Sequence, residues 1–216
     1  MSQLVFKFPF KTKYYEQDYY VSSNNFAVYR LIESWPNWPD KWVNIYGPKG
    51  CGKTHLSNIL KKKINMIEIF DAKKIDEEKI FKFEKLDCLI IDNYENNIDE
   101  NFFYSILNHF KQLNTYVVVN SFLPVKNMKI ELKDLKSRTE SFVSLGIELP
   151  TDDLLRVIIS KYFSDKQIDI SPKISEYIIK NIERSYEKVF KFIKEIDDLS
   201  LSSGKSININ LIKKVL

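Results

Sequence analysis

The stretch that most constrains this chain is residues 47–54, which read Gly-Pro-Lys-Gly-Cys-Gly-Lys-Thr. Glycine, four residues, glycine, lysine and then serine or threonine is the pattern of a phosphate-binding loop. The loop follows a short apolar stretch at 42–46, typical of a buried strand, and precedes a segment in which Leu56, Ile59 and Leu60 share one helical face. Three of the five glycines of the chain lie in it. A strand–loop–helix unit that binds phosphate is therefore predicted, in preference to a glycine-rich turn that binds nothing.

Each residue type in this loop has a chemical reason. Gly47, Gly50 and Gly52 let the backbone curl so that several N–H groups point at one phosphate. The helix that begins near Lys53 adds the positive end of its dipole. Lys53 would reach the β- and γ-phosphates and Thr54 would bind a magnesium ion, which predicts bound ADP or ATP with Mg. The other predicted nucleotide contacts of this stretch are Pro48, Lys49, Cys51 and His55.

A second apolar segment ends in an acid. Residues 86–93 read Leu-Asp-Cys-Leu-Ile-Ile-Asp-Asn, and Asp92 at the carboxyl end of such a strand would accept magnesium-bound waters beside Thr54. Many ATPases with this arrangement have another acid next, but here it is Asn93, which can hydrogen-bond a water without acting as its base. Slow intrinsic hydrolysis is therefore expected. Asn120 or Ser121, at the end of another apolar run, would lie between the two motifs and sense a γ-phosphate, or is simply a polar strand end.

The remaining pattern separates a mixed α/β part from a purely helical part. Further buried strands are predicted at residues 66–70, 86–93, 116–121 and 142–149. Helices are predicted near 26–32, with Ser22 or Ser23 as N-cap, near 71–87, 100–113 and 132–139, and after Thr151 near 151–164, 172–181, 184–200 and beyond 207. Strands that alternate with helices form parallel sheets, so the predicted fold class is α/β with a five-stranded parallel sheet flanked by helices and a small helical C-terminal part.

Composition and charge exclude several classes. The 216 residues are 44% hydrophobic and 14% aromatic, which indicates a globular protein, and the net charge of +4 is mildly basic without a dense basic block. No apolar run approaches the ~20 residues of a membrane span, and the N-terminus does not resemble a signal peptide. Cys51 and Cys88 are too far apart in sequence to suggest zinc or a redox pair. A cytoplasmic protein is expected.

The first residues form a short peptide with apolar anchors. Residues 3–8 read Gln-Leu-Val-Phe-Lys-Phe, so aliphatic and aromatic side chains recur on one face of an extended segment. Such a peptide suits docking into a pocket on a partner, or it is an edge strand of its own domain. It resembles the peptide that binds the bacterial DNA polymerase sliding clamp (beta subunit), with Gln3, Leu4, Phe6 and Phe8 as the contact residues.

Three segments together resemble the AAA+ module of the DnaA family: residues 52–56 (Gly-Lys-Thr-His-Leu), residues 20–24 (Tyr-Val-Ser-Ser-Asn) and residues 135–138 (Leu-Lys-Ser-Arg). The resemblance runs from about Tyr14 to Leu216 and is closer to the Hda-type regulators of that family. The chain ends after the helical part, where a separate DNA-binding domain would follow, the connection between the second and third strands is short, and the clamp-type peptide comes first. The implied domains are a clamp-binding tail (1–12), an AAA+ core (13–149) and a helical lid (150–216).

The resemblance implies a regulator, bound to nucleotide and most simply ADP, that is tethered to the clamp and docks on ATP-loaded DnaA. It would promote hydrolysis there and so prevent renewed initiation of replication, with DNA contacted only indirectly or weakly and with homo-oligomers possible. By motif position Arg138 would be an arginine finger offered to the neighbour's nucleotide; the alternative is a helix-end arginine paired with Asp134 or Glu140. The alternative function is an autonomous ATPase or a helicase loader.

The same resemblance implies further nucleotide contacts by Tyr20 and Val21. The family's sensor arginine falls on Glu187 in this chain, and Arg184, one helical turn earlier, would be its substitute. This departure and Asn93 both favour a module that holds its nucleotide as a structural ligand.

Overall fold

The structure is a computed structural model that describes residues 16–216. Within them the chain divides into two compact units, one ending at Glu148 and the other formed by Leu149–Leu216. The predicted clamp-binding residues Gln3, Leu4, Phe6 and Phe8 lie outside the described residues, as does the predicted tail 1–12. Residues 16–216 contain no helix long and apolar enough to cross a membrane.

The first unit is built on one parallel sheet with the strand order β2-β3-β4-β1-β5. The strands are β1 (Trp42–Tyr46), β2 (Ile67–Asp71), β3 (Cys88–Tyr94), β4 (Tyr116–Ser121) and β5 (Val143–Gly146). The three central strands are almost wholly buried, since helices flank the sheet, and this explains their continuous apolar runs. The predicted α/β class with a five-stranded parallel sheet is confirmed.

Five α-helices belong to this unit: α1 (Phe26–Glu33), α2 (Lys53–Lys63), α3 (Glu77–Ile80), α4 (Glu100–Gln112) and α5 (Lys133–Glu140). The N-cap of α1 is Asn25, so the prediction of Ser22 or Ser23 was wrong. The Asn25 side chain turns back along the preceding segment, where it accepts the Ser22 N–H at 2.9 Å and donates to the Tyr20 carbonyl at 2.9 Å. Asn25 therefore fixes the residues that lead into the helix.

Helix α4 shows how the sequence pattern becomes a packed element. Asp99 caps it by accepting the Phe102 N–H at 3.0 Å. Its apolar residues recur every three or four positions and form a fully buried stripe against the sheet: Phe103, Ile106, Leu107 and Phe110. Each such side chain contributes about 1.5–3 kcal/mol by leaving water. His109 lies beside this stripe, half-buried, with its ring edge-on to Phe81 at 5.1 Å.

The second unit is helical and has its own apolar core. It consists of α6 (Asp152–Asp165), α7 (Pro172–Asn181), α8 (Tyr186–Ser203) and α9 (Ile209–Ile212). Thr151 caps α6 by accepting the Leu154 N–H at 3.3 Å, and Gly204, in the left-handed conformation, ends α8. Lys166 pairs with the buried carboxylate of Asp197 on α8.

Candidate functional site

The loop between β1 and α2 is shaped by close backbone contacts. Gly52 is the N-cap of α2 and has φ of 99°, and a Cβ atom there would lie 2.9 Å from Cε2 of Tyr19. A Cβ atom on Gly47 would lie 2.6 Å from the carbonyl oxygen of Ile147. Side chains are thus excluded at both positions, Gly52 also by its backbone conformation. At Gly47 and Gly52 the glycine pattern thus corresponds to positions with no room for a side chain.

The ammonium group of Lys53 lies inside this loop. Its Nζ donates to the carbonyl oxygens of Gly47 at 2.6 Å and Pro48 at 3.1 Å, and it lies 3.6 Å from Sγ of Cys51. Burial raises the pKa of the Cys51 thiol, and the nearby Lys53 opposes that shift only in part. The loop therefore holds the Lys53 ammonium beside a neutral thiol and has a second, exposed positive charge in Lys49, which suits an anionic group.

Four polar side chains meet at the carboxyl edge of the sheet. The Thr54 hydroxyl donates to Oδ2 of Asp92 at 2.7 Å, and Asn120 Nδ2 donates to Oδ1 of Asp92 at 2.9 Å and to the Ser57 hydroxyl at 2.7 Å. Asp92 and Asn120 are buried, as is Ser57. Parallel strands bring their carboxyl ends to one edge, so residues from distant parts of the sequence converge beside the loop. The structure thus brings Thr54, Asp92 and Asn120 together.

These oxygen atoms fit a magnesium ion held with phosphate. Mg²⁺ keeps several waters and is bound through one or two protein oxygens plus phosphate oxygens, which one carboxylate and one hydroxyl provide. Oδ1 of Asn120 is buried and accepts no hydrogen bond from residues 16–216, so a water of such an ion would satisfy it. The described residues contain no cluster of three or more His, Cys, Asp and Glu side chains, as a metal cage without phosphate would need. Thr54 and Asp92 are the residues that would hold the ion.

Ser121 does not share this position with Asn120. Its hydroxyl accepts from Asn44 Nδ2 at 2.8 Å and donates to the Leu123 carbonyl at 2.6 Å. Asn44 also accepts the Val125 N–H at 3.0 Å, so these residues shape the turn after β4. Of the two sensor candidates, only Asn120 reaches Asp92 with its side chain, whereas Ser121 contacts the loop through its backbone carbonyl, which accepts the Gly47 N–H at 3.2 Å.

Asn93 adopts an unusual conformation beside Asp92. Its φ is 58°, and β3 is irregular in its pairing with β4 between Ile91 and Tyr94. Asn93 Nδ2 donates to Oδ2 of Asp71, at the end of the neighbouring strand β2, at 3.1 Å. An ionised carboxylate only accepts hydrogen bonds, so the amide nitrogen must face Asp71 and the amide oxygen must face away. The Asn93 amide oxygen is thus left as a hydrogen-bond acceptor, and an amide cannot deprotonate a water.

The segment before α1 lies close to the start of α2. The ring of Tyr19 stacks on Tyr29, with centroids 5.9 Å apart, and meets the His55 ring edge-on at 5.3 Å. Tyr20 is exposed and Val21 is half-buried next to it. Tyr19 therefore contacts both His55 and the Gly52 end of the loop, while the nucleotide contacts of Tyr20, Val21 and His55 stay predictions.

Arg138 lies at the other end of the sheet. Its guanidinium is 5.8 Å from the ring centroid of Trp42, the first residue of β1, and one of its nitrogens donates to Oδ1 of Asn108 at 3.2 Å. Trp42 and Gly47 are separated by the length of β1, about 16 Å at ~3.3 Å per residue. Arg138 forms no ion pair with residues 16–216, so the alternative pairing with Asp134 or Glu140 was wrong. Arg138 is separate from the phosphate loop of its own chain.

Arg184 belongs to the helical unit. It is exposed and pairs with Asp152, the first residue of α6, at 3.0 Å. Glu187, in the first turn of α8, is also exposed. The predicted contact of Arg184 with the nucleotide stays a prediction.

Sequence reasoning missed four polar partners: Ser57, Asp71, Asn44 and Asn108. Ser57 gave a usable signal, because it lies four residues after Lys53 and interrupts a buried helical face with a small polar group. The other three are polar residues whose partners lie more than 20 residues away, at Asn93, Val125 and Arg138. Nothing local in the sequence distinguishes them from solvated residues.

No family model matches this sequence. Among curated proteins, the chromosomal replication initiator protein DnaA of Buchnera aphidicola is 26% identical over 247 aligned positions, covering 100% of this chain and 53% of that protein. DnaA of Campylobacter jejuni is 28% identical over 195 positions, covering 81% of this chain and 44% of that protein. The chain therefore spans about half the length of the relatives it matches.

Solved structures share the fold. Domain III of the Thermotoga maritima replication initiation protein DnaA has a TM-score of 0.77 at 18% identity, covering 97% of this chain and 98% of that chain. AMPPCP-bound DnaA from Aquifex aeolicus has a TM-score of 0.68 at 20% identity, covering 88% and 67%. The T. maritima RuvB Holliday junction branch migration motor has a TM-score of 0.63 at 19% identity, covering 89% and 67%. The chain is therefore similar in sequence to DnaA proteins and shares the fold of DnaA domain III.

Proposed function

We propose that this chain is a nucleotide-bound regulator of the Hda type that stimulates ATP hydrolysis by the initiator DnaA and thereby limits the initiation of chromosomal replication. The observation that carries this proposal is the position of Arg138. Its guanidinium packs on the first residue of β1, whereas the phosphate loop follows the last. An arginine in this position acts on a nucleotide held by another molecule.

The chain's own loop serves as a holding site for ADP or ATP. Lys53 and the loop N–H groups bind the phosphates, Thr54 and Asp92 hold Mg, and Tyr20, Val21, His55 and Arg184 are the further nucleotide contacts. A bound magnesium nucleotide supplies negative phosphate oxygens that the Lys53 ammonium neutralises. The polar atoms of Thr54, Asp92 and Asn120 already bond one another, which supports a preorganised binding site.

Hydrolysis of this chain's own nucleotide is slow. A general base contributes about 10²–10⁴ to such a rate, and Asn93 cannot be one. The nearest carboxylate to its amide nitrogen, Asp71, accepts the hydrogen bond from that nitrogen and also caps the next turn by accepting the Lys73 N–H at 2.9 Å. Asp71 therefore orients Asn93 and does not replace the missing base.

Arg138 acts in the nucleotide site of DnaA. Arginine fingers supplied in trans raise hydrolysis by about 10³–10⁵, or roughly 4–7 kcal/mol of barrier. The relatives found by sequence are DnaA proteins, which supports DnaA as the partner, because related modules of this class present similar surfaces. A homo-oligomer would use the same contact.

Residues 1–12 form the tether in this proposal, followed by the core 13–149 and the lid 150–216. Gln3, Leu4, Phe6 and Phe8 bind the sliding clamp on DNA in the cytoplasm. Tethering raises the effective concentration of the second contact into the millimolar range, so two weak contacts suffice. DNA itself is contacted indirectly through the clamp.

The test measures phosphate release from ATP-loaded DnaA in the presence of clamp-loaded DNA. Wild-type protein is expected to accelerate release, and Arg138→Ala is expected to abolish that acceleration. Arg30→Ala, which removes an exposed arginine of α1, is the matched control and should act as wild type. Full acceleration by Arg138→Ala contradicts the finger. Turnover near one per second by this chain alone, without DnaA, supports the autonomous ATPase instead.

A further inference from the structure

The surroundings of Arg138 are built by three elements of the first unit. The arginine comes from α5, its hydrogen-bond acceptor Asn108 comes from α4, and the aromatic ring beneath it, Trp42, comes from β1. Arg138 and Asn108 are both half-buried, whereas Trp42 is buried. The guanidinium is therefore held at a defined place and remains open on one side.

The chemical nature of these contacts is unusual for a partly buried arginine. Both contacts of the guanidinium within the described residues are neutral: an amide oxygen at 3.2 Å and an indole ring at 5.8 Å. The guanidinium carries five N–H donors and no acceptor, so a single amide oxygen leaves most of them unused. A carboxylate in the place of Asn108 would instead pair bidentately with the guanidinium and neutralise its charge.

A guanidinium only donates, so Asn108 must present its oxygen to Arg138 and its amide nitrogen elsewhere. The indole face attracts the cation without consuming a donor. Together the two contacts restrict the direction of the side chain while its positive charge and remaining donors stay available. These are the requirements for a group that must meet phosphate oxygens on another molecule with little reorganisation.

We propose that Asn108 is a positioning residue for Arg138, which holds the guanidinium toward the terminal phosphate of a nucleoside triphosphate bound by a neighbouring AAA+ molecule and keeps it unneutralised. This inference rests on the proposed function, in which Arg138 acts in trans. Asn108 touches neither substrate nor nucleotide of its own chain. Its effect is to keep the positive charge of Arg138 available to the phosphate of the neighbouring molecule.

The test is the substitution Asn108→Asp, which keeps the size and the acceptor atom facing Arg138, replaces the amide nitrogen by an oxygen and adds a negative charge. A merely structural role would survive it, because Asp bonds Arg138 at least as well as Asn does. A positioning role would not, because the new carboxylate occupies the guanidinium. Maximal stimulation of phosphate release from ATP-loaded DnaA is expected to fall by about 10- to 100-fold, the loss expected for one charge-assisted hydrogen bond. The concentration for half-maximal stimulation and the melting temperature are expected to stay near wild type.

The matched control is Asn101→Asp, the same substitution at an exposed position of the same helix, which should behave as wild type. Asn108→Gln, which retains a neutral amide, should recover more stimulation than Asn108→Asp. The inference is overturned if Asn108→Asp stimulates phosphate release as strongly as wild type. It is also overturned if Asn101→Asp loses as much stimulation as Asn108→Asp does. If Arg138→Ala is inactive while Asn108→Asp is fully active, only the positioning role fails. If Arg138→Ala is fully active, the finger itself fails.

Discussion

The two ends of β1 hold polar groups in different ways. At the carboxyl end, Thr54, Asp92 and Asn120 bond to one another at 2.7–2.9 Å. At the amino end, Arg138 has one neutral hydrogen-bond partner and an indole ring. The first arrangement has internally paired polar groups and suits a ligand that stays bound. The second has a charge that finds no counter-ion among residues 16–216, and it suits a group that completes its contacts only when a partner arrives.

At the carboxyl end of β1, the largest effect is expected from removing the Lys53 ammonium group. Lys53→Ala is expected to lower nucleotide affinity by about 100-fold, or roughly 3 kcal/mol, since charge-assisted contacts to phosphate are lost. Isothermal titration with ADP and ATP measures this. Lys61→Ala, an exposed lysine at the far end of α2, serves as control. Unchanged affinity in Lys53→Ala would show that the nucleotide does not bind in this loop.

The buried amide of Asn120 is expected to contribute to the stability of the fold as well as to nucleotide binding. Asn120→Ala leaves Asp92 Oδ1 and the Ser57 hydroxyl without the donor they share, which costs about 2–3 kcal/mol. The melting temperature of a chain of this size should fall by roughly 4–10 °C. Asn65→Ala, at an exposed residue, should leave it unchanged. Equal melting temperatures for both variants would contradict the paired network.

A charge exchange tests why the chain's own hydrolysis is slow. Asn93→Asp alone places two carboxylates about 3 Å apart, which raises the pKa of one of them and gives no useful base. Adding Asp71→Asn restores the hydrogen bond with its polarity reversed and leaves a carboxylate at position 93. The double variant is expected to hydrolyse ATP about tenfold faster than either single variant. Asp71→Asn keeps an oxygen for the Lys73 N–H, so it serves as the structural control.

Gly52 and Gly204 both have positive φ but differ in the space around them. Gly52→Ala meets the Tyr19 ring at 2.9 Å, whereas a Cβ atom on Gly204 meets nothing within 4 Å. Both substitutions cost about 1–2 kcal/mol from the backbone conformation. Gly52→Ala should cost roughly 1 kcal/mol more and weaken nucleotide binding, which Gly204→Ala should not. Denaturant unfolding and titration compare the two variants, and equal costs with equal affinities would contradict the close packing at Gly52.

Local pattern was sufficient for the sheet and the phosphate loop. The apolar runs predicted all five strands, and β1 and β4 have the predicted bounds, because buried parallel strands need continuous apolar residues. Gly47 and Gly52 of the loop were informative because their close contacts admit no side chain. Helix caps were less predictable. The N-cap of α1 is Asn25 and not Ser22 or Ser23, because several neighbouring polar residues are each suited to that position.

Apart from Thr54 and Asp92, which the two nucleotide motifs predict to lie together, the long-range partners could not be predicted. Asn108 bonds Arg138 across 30 positions, and Ser57 bonds Asn120 across 63. Such contacts depend on how separate elements pack, which periodicity does not encode. The sequence suggested Asp134 or Glu140 as partners of Arg138 because they are near in sequence and oppositely charged, yet the packing of α4 against α5 supplies a neutral amide.

The central claim is that chemistry occurs on the partner's nucleotide and not on this chain's own. The direct measurement is single-turnover release of γ-labelled phosphate in two reciprocal mixtures, with the label loaded either on DnaA or on this chain. Fast release is predicted only when DnaA carries the label, and Arg138→Ala should abolish it. Fast release from label carried by this chain, unaffected by Arg138→Ala, would contradict the account.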